Sequence, residues 1–559
     1  MSAKNKITAL VSWATLTSIT AWAQTPPDAG RLLEETRPPL RPTLPSQTAP
    51  KVIEAPVRPT INMPEGVAVT AAGFRITGAQ SYPESVLTEL VKPWVGKKLD
   101  IAGLNEAAGA ITRYYQSAGH LLTYAYLPAQ RVADGVIEIA VLEGRLEGVQ
   151  IVTAQDVRLR DEVIQAHTEG LSDKPPLLQA DVERKLLLLS DIPGVVARAA
   201  FTPGTTTGAA EMVVSVAEDE PLDFRAEINN HGARSTGQFR MGLTLQLRDL
   251  FGWGDSTRGT LLVSNKGSLV SGSLASTVPL GGDGWRMGAS VSHLSYQLAG
   301  VFRRAGATGS ADTAGLDFGY PLIRSADTNL ALKTGFEYKW LRDDLQVPGT
   351  SNPKRNGVFE LGASFDRRDG LGGLSAGNAT VSTGRLRLLD EQHRSDDIAG
   401  LRTAREWRKL YAQVARQQAL SGPYSLYLRL AGQTTGANLD SSEKLGLAGP
   451  GTVRAYAPGE ASVDQGGFGS LELRYSMDYL GGNLVGALFH DRAAGRINRQ
   501  PLPSVSDNAV TLSGTGLSVQ WNGGDYGLSA SVAWRGSRLP TAEGGDPRPR
   551  VYLQLSVTP

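Results

Sequence analysis

The sequence predicts two tandem α+β modules, each β-α-α-β-β, followed by a C-terminal transmembrane antiparallel β-barrel. Three observations carry that expectation. Residues 74–143 and 149–218 align without a gap at one constant offset: Phe74 falls on Val149, Ile111 on Leu186, Gly119 on Gly194, Pro128 on Pro203, and Ile137 on Met212. Past Pro221 the helical periodicity stops, and glycine-punctuated alternation of apolar and polar residues takes over. The mature chain has no continuous apolar run of the roughly 20 residues a membrane helix needs, whereas a barrel strand needs only about 9–11 with every second one apolar.

The elements follow in order. Lys4 and Lys6 precede a weakly apolar stretch, 7–20, and Ala21-Trp22-Ala23 offers a small-x-small cleavage pattern, so 1–23 reads as a secretory signal peptide. The chain has no cysteine, so an exported protein of this sequence draws its stability from burial and strand pairing rather than disulfides. A formal net charge of +1 excludes the basic field that nucleic-acid binding requires. Residues 24–65 hold Pro26, Pro27, Pro38, Pro39, Pro42, Pro45 and Pro50, which fix φ and remove donors, so an extended linker is expected. Within it, 28–36 can form two helical turns with Asp28 as N-cap, a helix too short to persist without a docking surface.

The first module spans 66–145. A strand is expected over 67–76, helices over 82–95 and 104–117, and strands over 121–127 and 136–142, with Ile111, Tyr114 and Tyr115 on the inner helical face. The second, 146–220, repeats the pattern, with its second helix over 181–189. A glycine follows that helix in both copies, where a left-handed cap costs it little. The run of leucines at 186–189 is read as core, since apolar residues at helical spacing usually are.

From 221 to 559 alternation dominates. Met241, Leu243, Leu245 and Leu247 interleave with Arg240, Gly242, Thr244, Gln246 and Arg248; Leu471, Leu473, Tyr475, Met477 and Tyr479 interleave with Glu472, Arg474, Ser476 and Asp478. A period of two puts each set on one face of a sheet. Long strands of this kind, many ending in Tyr or Trp and joined by short Gly/Asp turns, exceed the dimensions of an ordinary sandwich. At about 20 residues per strand and turn, the region accommodates about 16 strands with their apolar face on lipid and their charges in the lumen. Tyr552, Leu553, Leu555 and Val557 supply the final strand.

No catalytic constellation is visible. Gly373-Leu374-Ser375-Ala376-Gly377 matches the G-x-S-x-G nucleophile elbow, but it lies in a glycine-rich turn between alternating strands and is declined. His120, His167, His231, His293, His393 and His490 show no metal-ligand spacing, and neither metal nor cofactor is expected. Nothing resembles a nucleotide site.

The tandem repeat resembles a pair of POTRA domains. Asn229-Asn230-His231-Gly232, Arg234-Ser235-Thr236-Gly237 and Leu250-Phe251-Gly252-Trp253-Gly254-Asp255 resemble the barrel start of two-partner-secretion transporters. Gly449-Pro450-Gly451-Thr452-Val453-Arg454-Ala455-Tyr456, with Gly459-Glu460-Ala461-Ser462 and Asp464, is similar to the tip of that family's inward-folding loop, placed here at about 441–466. Phe489-His490-Asp491 resembles the acidic strand motif that receives the loop arginine. The chain is thereby identified as a member of the TpsB branch of the Omp85 superfamily, the haemolysin and filamentous-haemagglutinin secretion-activation proteins.

The resemblance implies an outer-membrane translocator, not an enzyme. It would recognise a large unfolded exoprotein in the periplasm through its POTRA domains and secrete it without ATP, drawing on folding outside the cell. An assembly or insertion factor of the same superfamily is the alternative; such relatives usually carry three or more POTRA repeats. The implied partners are the exoprotein, outer-membrane lipid and, during biogenesis, the barrel-assembly machinery. Strand addition at an edge of the second repeat is the expected mode of cargo binding. Within the loop tip Val453, Arg454, Ala455 and Tyr456, Arg454 is expected to reach Asp491, with Gly449, Pro450, Asp464 and Phe489 in support. In a wet lumen, breaking that pair is expected to cost nearer about 1 kcal/mol than the roughly 3–5 of a desolvated one. Two departures from the family pattern carry expectations of their own. Ala455 stands where glycine is usual, which makes a strained turn costlier. The two turns at 28–36 are shorter than the family's pore-plugging helix, which argues against plugging.

Overall fold

The computed structural model describes residues 26–37, 52–53, 68–132, 134–172, 176–206, 208–347, 349–503, 507–536 and 548–559. The expected signal peptide and most of the linker lie outside them. The short helix is present as α1 (Ala29–Thr36), N-capped by Asp28, whose Oδ1 accepts from the Arg31 amide at 2.9 Å. The linker also supplies β1 (Val52–Ile53), an element that its proline content does not announce.

In the first repeat the expected opening strand divides into β2 (Val69–Thr70) and β3 (Gly73–Thr77). The first helix is α2 (Glu84–Val91), shorter than 82–95, because Pro93 has no amide to donate and the chain tightens into a 3-10 turn at Lys92–Trp94. β4 (Lys98–Leu99) pairs with β2. Next comes α3 (Ile101–Ser117), starting earlier than 104 because the Asp100 carboxylate caps the Gly103 amide at 2.9 Å. β5 (Thr123–Tyr126) and β6 (Val136–Glu143) complete the sheet in the order β3-β6-β5, with β3 parallel and β5 antiparallel to β6. Leu87, Ile111, Tyr115, Ile137 and Ile139 form the core beneath it.

The second repeat follows with β7 (Arg145–Thr153), α4 (Asp161–Thr168), α5 (Gln179–Ser190), β8 (Val195–Pro203) and β9 (Ala209–Glu218). The gapless sequence alignment slips in one strand. Thr123 and Leu127 are buried in and beside β5, whereas β8 turns Val195, Ala197, Ala199 and Phe201 inward, one residue out of step with the offset. β8 begins directly after Gly194 and is more than twice as long as β5. The four leucines also divide: Leu186 and Leu189 enter the core, while Leu188 meets the barrel turn at Gly284, where an added Cβ would lie 2.7 Å from its Cδ2.

Sixteen antiparallel strands, from Leu222–Asn229 to Arg550–Val557, close the barrel. First and last strands share only the pairs from Ala226 opposite Val557 to Asn229 opposite Gln554. Asn230 lengthens this seam: its Oδ1 accepts from Leu553 N at 2.7 Å and its Nδ2 donates to Val551 O at 3.0 Å. Phe359, Leu361, Leu471, Leu473, Tyr475 and Met477 face outward as a membrane-facing band requires. Trp285 against Tyr320 (4.6 Å) and Tyr424 against Tyr475 (5.2 Å) form aromatic pairs at the barrel end nearest the repeats. Ser375 lies on a barrel strand, Gly373–Leu388, and accepts from Arg416 Nη1; there is no elbow.

The second repeat is fastened to the barrel's near rim. Arg324 forks onto Asp191 at 2.7 and 2.8 Å, and Arg184 donates to Pro321 O. The Leu250–Asp255 motif forms a turn held by Asp255, which accepts from the Leu250 and Phe251 amides. Its Trp253 lies under Arg160 at 4.2 Å, and Gly252 O accepts from the Arg160 amide.

Candidate functional site: the loop and helix in the lumen

Between the strands Tyr424–Thr435 and Gln465–Tyr479 the chain makes a long excursion, 436–464, which folds back into the barrel. Residues 465 and 466, expected in the loop, belong to the strand. A short ladder, Leu445–Gly446 with Ser462–Val463, ties the base of the excursion together. Asp464, fully buried, accepts from Arg499 N at 2.8 Å and Leu439 N at 3.2 Å, and pairs with Lys444 at 3.1 Å. At the tip Gly449 adopts a φ of +125°, a value that L side chains rarely adopt; the half-buried Pro450 follows it in the turn, and Thr452 N donates to Gly449 O.

Val453, Ala455 and Tyr456 are buried against Phe468, Phe489 and Leu512 of the barrel wall. Arg454 projects between them onto the wall. Its Nε and Nη2 fork onto the two oxygens of Asp491 at 2.8 and 2.7 Å, and its own amide donates to Asp491 at 3.1 Å. Its Nη1 reaches Glu472 at 2.9 Å, its Nη2 also donates to Ser470 Oγ, and the guanidinium lies 3.4 Å from the centre of the Phe489 ring. Ser470 in turn donates to Asp491 at 2.7 Å, and Arg474 balances Glu472. Neighbouring anchors hold the tip's carbonyls: Arg429 on Gly451 O, Arg535 on Ala455 O and Tyr552 on Tyr456 O.

Two expectations change here. The pair is not wet: Asp491 is 0 % exposed, so its loss falls in the costlier, desolvated range. Nor is Ala455 strained, since it stays out of the left-handed region that Asp134, Asp249, Lys266, Arg402 and Leu480 occupy. Its methyl instead needs the glycine opposite: a Cβ on Gly514 would come within 2.6 Å of Ala455 Cβ. Sequence reasoning missed Ser470, Glu472, Arg474, Arg429, Arg535 and Tyr552 as partners of the tip. Alternation placed Glu472 and Arg474 on the polar face, but only the register that sets Ser470 opposite Asp491 says what they meet.

A second charged cluster holds α1, and here the sequence expectation fails outright. The helix lies inside the barrel, with Ala29, Leu32 and Leu33 buried against Leu294, Ala311 and Leu341 of the wall. Asp28 accepts from Ser441 Oγ at 2.7 Å, the Ala29 amide donates to Asp343 at 2.7 Å, and Arg37 pairs with Glu337. The wall's buried Lys354 and Lys339 serve both helix and loop: Lys354 lies 3.0 Å from Asp440 and 3.5 Å from Asp28, while Lys339 lies 2.7 Å from Glu443 and 3.7 Å from Glu34. Gly30 permits the contact, because a Cβ there would sit 2.6 Å from Ser441 Oγ. Two turns suffice because the docking surface, not helix length, stabilises them.

The family model of the haemolysin secretion/activation protein ShlB/FhaC/HecB matches residues 208–517, and that of the ShlB-type POTRA domain matches 69–144. The chain is similar to the heme/hemopexin transporter protein HuxB of Haemophilus influenzae, at 24% identity over 80% of each chain. It is also similar to the outer membrane transporter CdiB of Escherichia coli, at 23% identity over 74% of this chain and 70% of the other. Among solved structures, CdiB from Escherichia coli shares the fold with a TM-score of 0.69 at 20% identity, covering 90% of this chain and 92% of that one. CdiB from Acinetobacter baumannii does so with a TM-score of 0.61 at 15% identity, covering 92% and 95%. Repeats, barrel and family match agree: this chain belongs to the haemolysin secretion/activation family, the two-partner-secretion (TpsB) transporters that carry exoproteins across the outer membrane.

Proposed function

We propose that the exoprotein reaches this transporter unfolded, adds a strand to the sheet of the second POTRA repeat, and crosses the barrel once α1 has left the lumen. Arg454 and Asp491 hold the loop in the position that transport requires. The boundaries 66–145, 146–220 and 221–559 are the working division of recognition from conduction, and the barrel-assembly machinery inserts the chain.

The observation that carries this reading is the contrast in how the lumen's two occupants are held. The loop tip is gripped by forked charge-assisted bonds and by its own backbone. α1 is held by one backbone amide, on Asp343, and by side chains, and the two wall lysines it meets keep carboxylates of the loop as their closer partners. A removable plug beside a fixed loop suits a conduit that must open for a chain and reseal. Strand addition needs no particular side-chain sequence, which suits a cargo that must stay unfolded.

The test is secretion of the N-terminal fragment of the exoprotein encoded beside this gene. It is scored in the medium for the wild-type chain, for deletion of 66–220 and for Arg454→Ala. Fragment in the medium only with intact repeats, and much reduced with Arg454→Ala in folded barrels, supports the reading. Equal secretion by all three would sink it.

A further inference from the structure

Outside the lumen, one stretch of the barrel's outer face carries charges that the chain itself does not answer. The second repeat is fastened to one rim, so the strand ends Leu345, Thr350, Leu388 and Glu406 stand at the opposite rim, toward the cell surface. There Lys354, Asn356, Leu386 and Trp407 are buried on the lumen side, and the two-residue period turns Arg355, Arg385, Arg387 and Arg408 outward, all exposed. Register gathers the four into one patch. Arg355 stands directly opposite Arg387, and Arg385 lies opposite Glu406, two residues from Arg408. Like charges directly opposite each other on paired strands destabilise a sheet. Yet among the described residues the side chains of Arg355, Arg387 and Arg408 have no hydrogen-bond, ion-pair or ring partner, and Arg385 has Glu406 alone, at 4.0 Å. Arg342, on the neighbouring strand, shows the alternative: Asp344 neutralises it at 2.9 Å.

The depth of the patch fixes what it meets. On the strand Thr350–Arg368 the outward face carries Phe359, Leu361 and Phe365 between Arg355 and Arg367. From Arg355 to Arg367 the strand takes 12 steps, which at about 3.3 Å each and a tilt of about 40° rise roughly 30 Å. The apolar band of such a barrel is about 25 Å tall, so the two arginines bracket it, Arg355 at the outer interface and Arg367 at the inner. Trp340, opposite Arg355, packs on Tyr338 with 4.7 Å between ring centres, and aromatic residues of this kind gather at headgroup level. The arginines thus face sideways into outer-leaflet headgroups rather than up into water. A guanidinium fork matches two phosphate oxygens at once, which an ammonium cannot do. We propose that Arg355, Arg385, Arg387 and Arg408 bind the phosphate groups of lipopolysaccharide, the phosphorylated glycolipid of the outer leaflet. A phosphate between Arg355 and Arg387 turns their repulsion into two charge-assisted pairs. The lipid's acyl chains then lie on the paired Leu361 and Val381 below.

The test uses the full-length protein in detergent, stripped of carried-over lipid, titrated with bisphosphorylated lipid A and followed by native mass spectrometry. Arg355→Gln combined with Arg387→Gln should weaken lipid A binding about tenfold or more, since two charge contacts to the lipid are lost together. Arg408→Gln alone should weaken it several-fold. Arg367→Gln, at the other end of the same strand, should leave it unchanged. Lipid A without its phosphates should bind the wild-type chain at least tenfold more weakly. In detergent without lipid A the double variant should melt no lower than wild type, because a facing pair of like charges has gone. Should the double variant fail to fold, Arg408→Gln and the dephosphorylated lipid still decide the matter. The inference is overturned if the wild-type chain binds no lipid A, or if the neutralised variants bind it as tightly as wild type. It is also overturned if the dephosphorylated lipid binds equally well, if Arg367→Gln loses as much as the double variant, or if equimolar inorganic phosphate displaces lipid A.

Discussion

The two charged clusters in the lumen solve the same problem in opposite ways. Around Arg454 each charge has a close partner: two carboxylates, two guanidiniums, a hydroxyl and a backbone amide, all within 3.1 Å. Around α1 the wall lysines lie 3.5 and 3.7 Å from the helix's Asp28 and Glu34 but keep loop carboxylates at 3.0 and 2.7 Å whether or not the helix is present. Removing the helix therefore strands no wall lysine, whereas removing the loop tip would leave Asp491 buried and uncompensated. Desolvation makes that second outcome expensive. The difference teaches that a buried charge network can mark either a fixed point or a release point, according to whether the charges left behind still have partners.

The strongest way to break this contrast is Asp491→Ala. It leaves Arg454 buried with Glu472 and Ser470 alone, at a cost of about 3–5 kcal/mol at the loop tip. Secretion should collapse while the barrel still shows its folded mobility on unheated gels, and Arg454→Lys should fall between, since lysine cannot fork onto a carboxylate. Wild-type secretion by Asp491→Ala would show that the tip needs no fixed point.

Asp28→Ala sharpens the other side. It deletes the N-cap, the Ser441 bond and a contact to Lys354 together, but the cap is replaceable and the lysine keeps Asp440, so about 1–2 kcal/mol is expected. Resting conductance should rise roughly tenfold, following that energy, with secretion retained. Loss of secretion without added conductance would place the helix among the fixed parts.

A smaller effect is expected from Ala455→Gly, which restores the residue usual in the family. With no left-handed strain to relieve, it gains nothing and loses a methyl packed on Gly514, about 1 kcal/mol by thermal unfolding. A rise in stability would mean that the backbone at Ala455 is strained after all.

The smallest effect belongs to the joint between repeat and barrel. His167 is buried, its Nδ1 2.8 Å from Val163 O, and it faces Lys185, Arg286 and Asp283. Burial, helped by Lys185 and Arg286, holds its pKa below the ordinary value, against the pull of the Val163 carbonyl and Asp283. The unfolded chain therefore takes up a proton that the folded chain resists. Stability is fully present above about pH 6.5 and declines as pH falls below it. Protection factors of the α4 amides in the intact protein, with the intrinsic exchange rate at each pH divided out, should fall between pH 7 and 5, and His167→Gln should flatten that slope. An unchanged slope in the variant would assign it to another group.

Much of the architecture is local and hence legible. Alternation at period two writes the barrel, because each residue's side is set by its neighbours alone. The repeated helix pattern writes the two modules for the same reason. Where one residue's covalent nature decides, the reading can also be sharp: Asp28 caps α1 as expected, although the reading of 82–95 as one helix passed over Pro93, which ends α2 at Val91. The pairing of Arg454 with Asp491 rests on family resemblance, since nothing in their spacing connects a loop tip to a strand.

What only the tertiary structure decided involves residues far apart in sequence. Asp28 meets Ser441 across 413 positions, and the Ala29 amide meets Asp343 across 314. Closure of the barrel brings those groups together, so a helix too short to be stable alone acquires a dock that no local signal describes. The placing of β1 on β8 is of the same kind, because a strand edge binds backbone and leaves little trace in side-chain pattern. The sequence by itself determined the main helices and barrel strands and most of the faces they bury, as propensity and periodicity act over a few residues; which of them share a lumen, and which can leave it, is a property of register and closure.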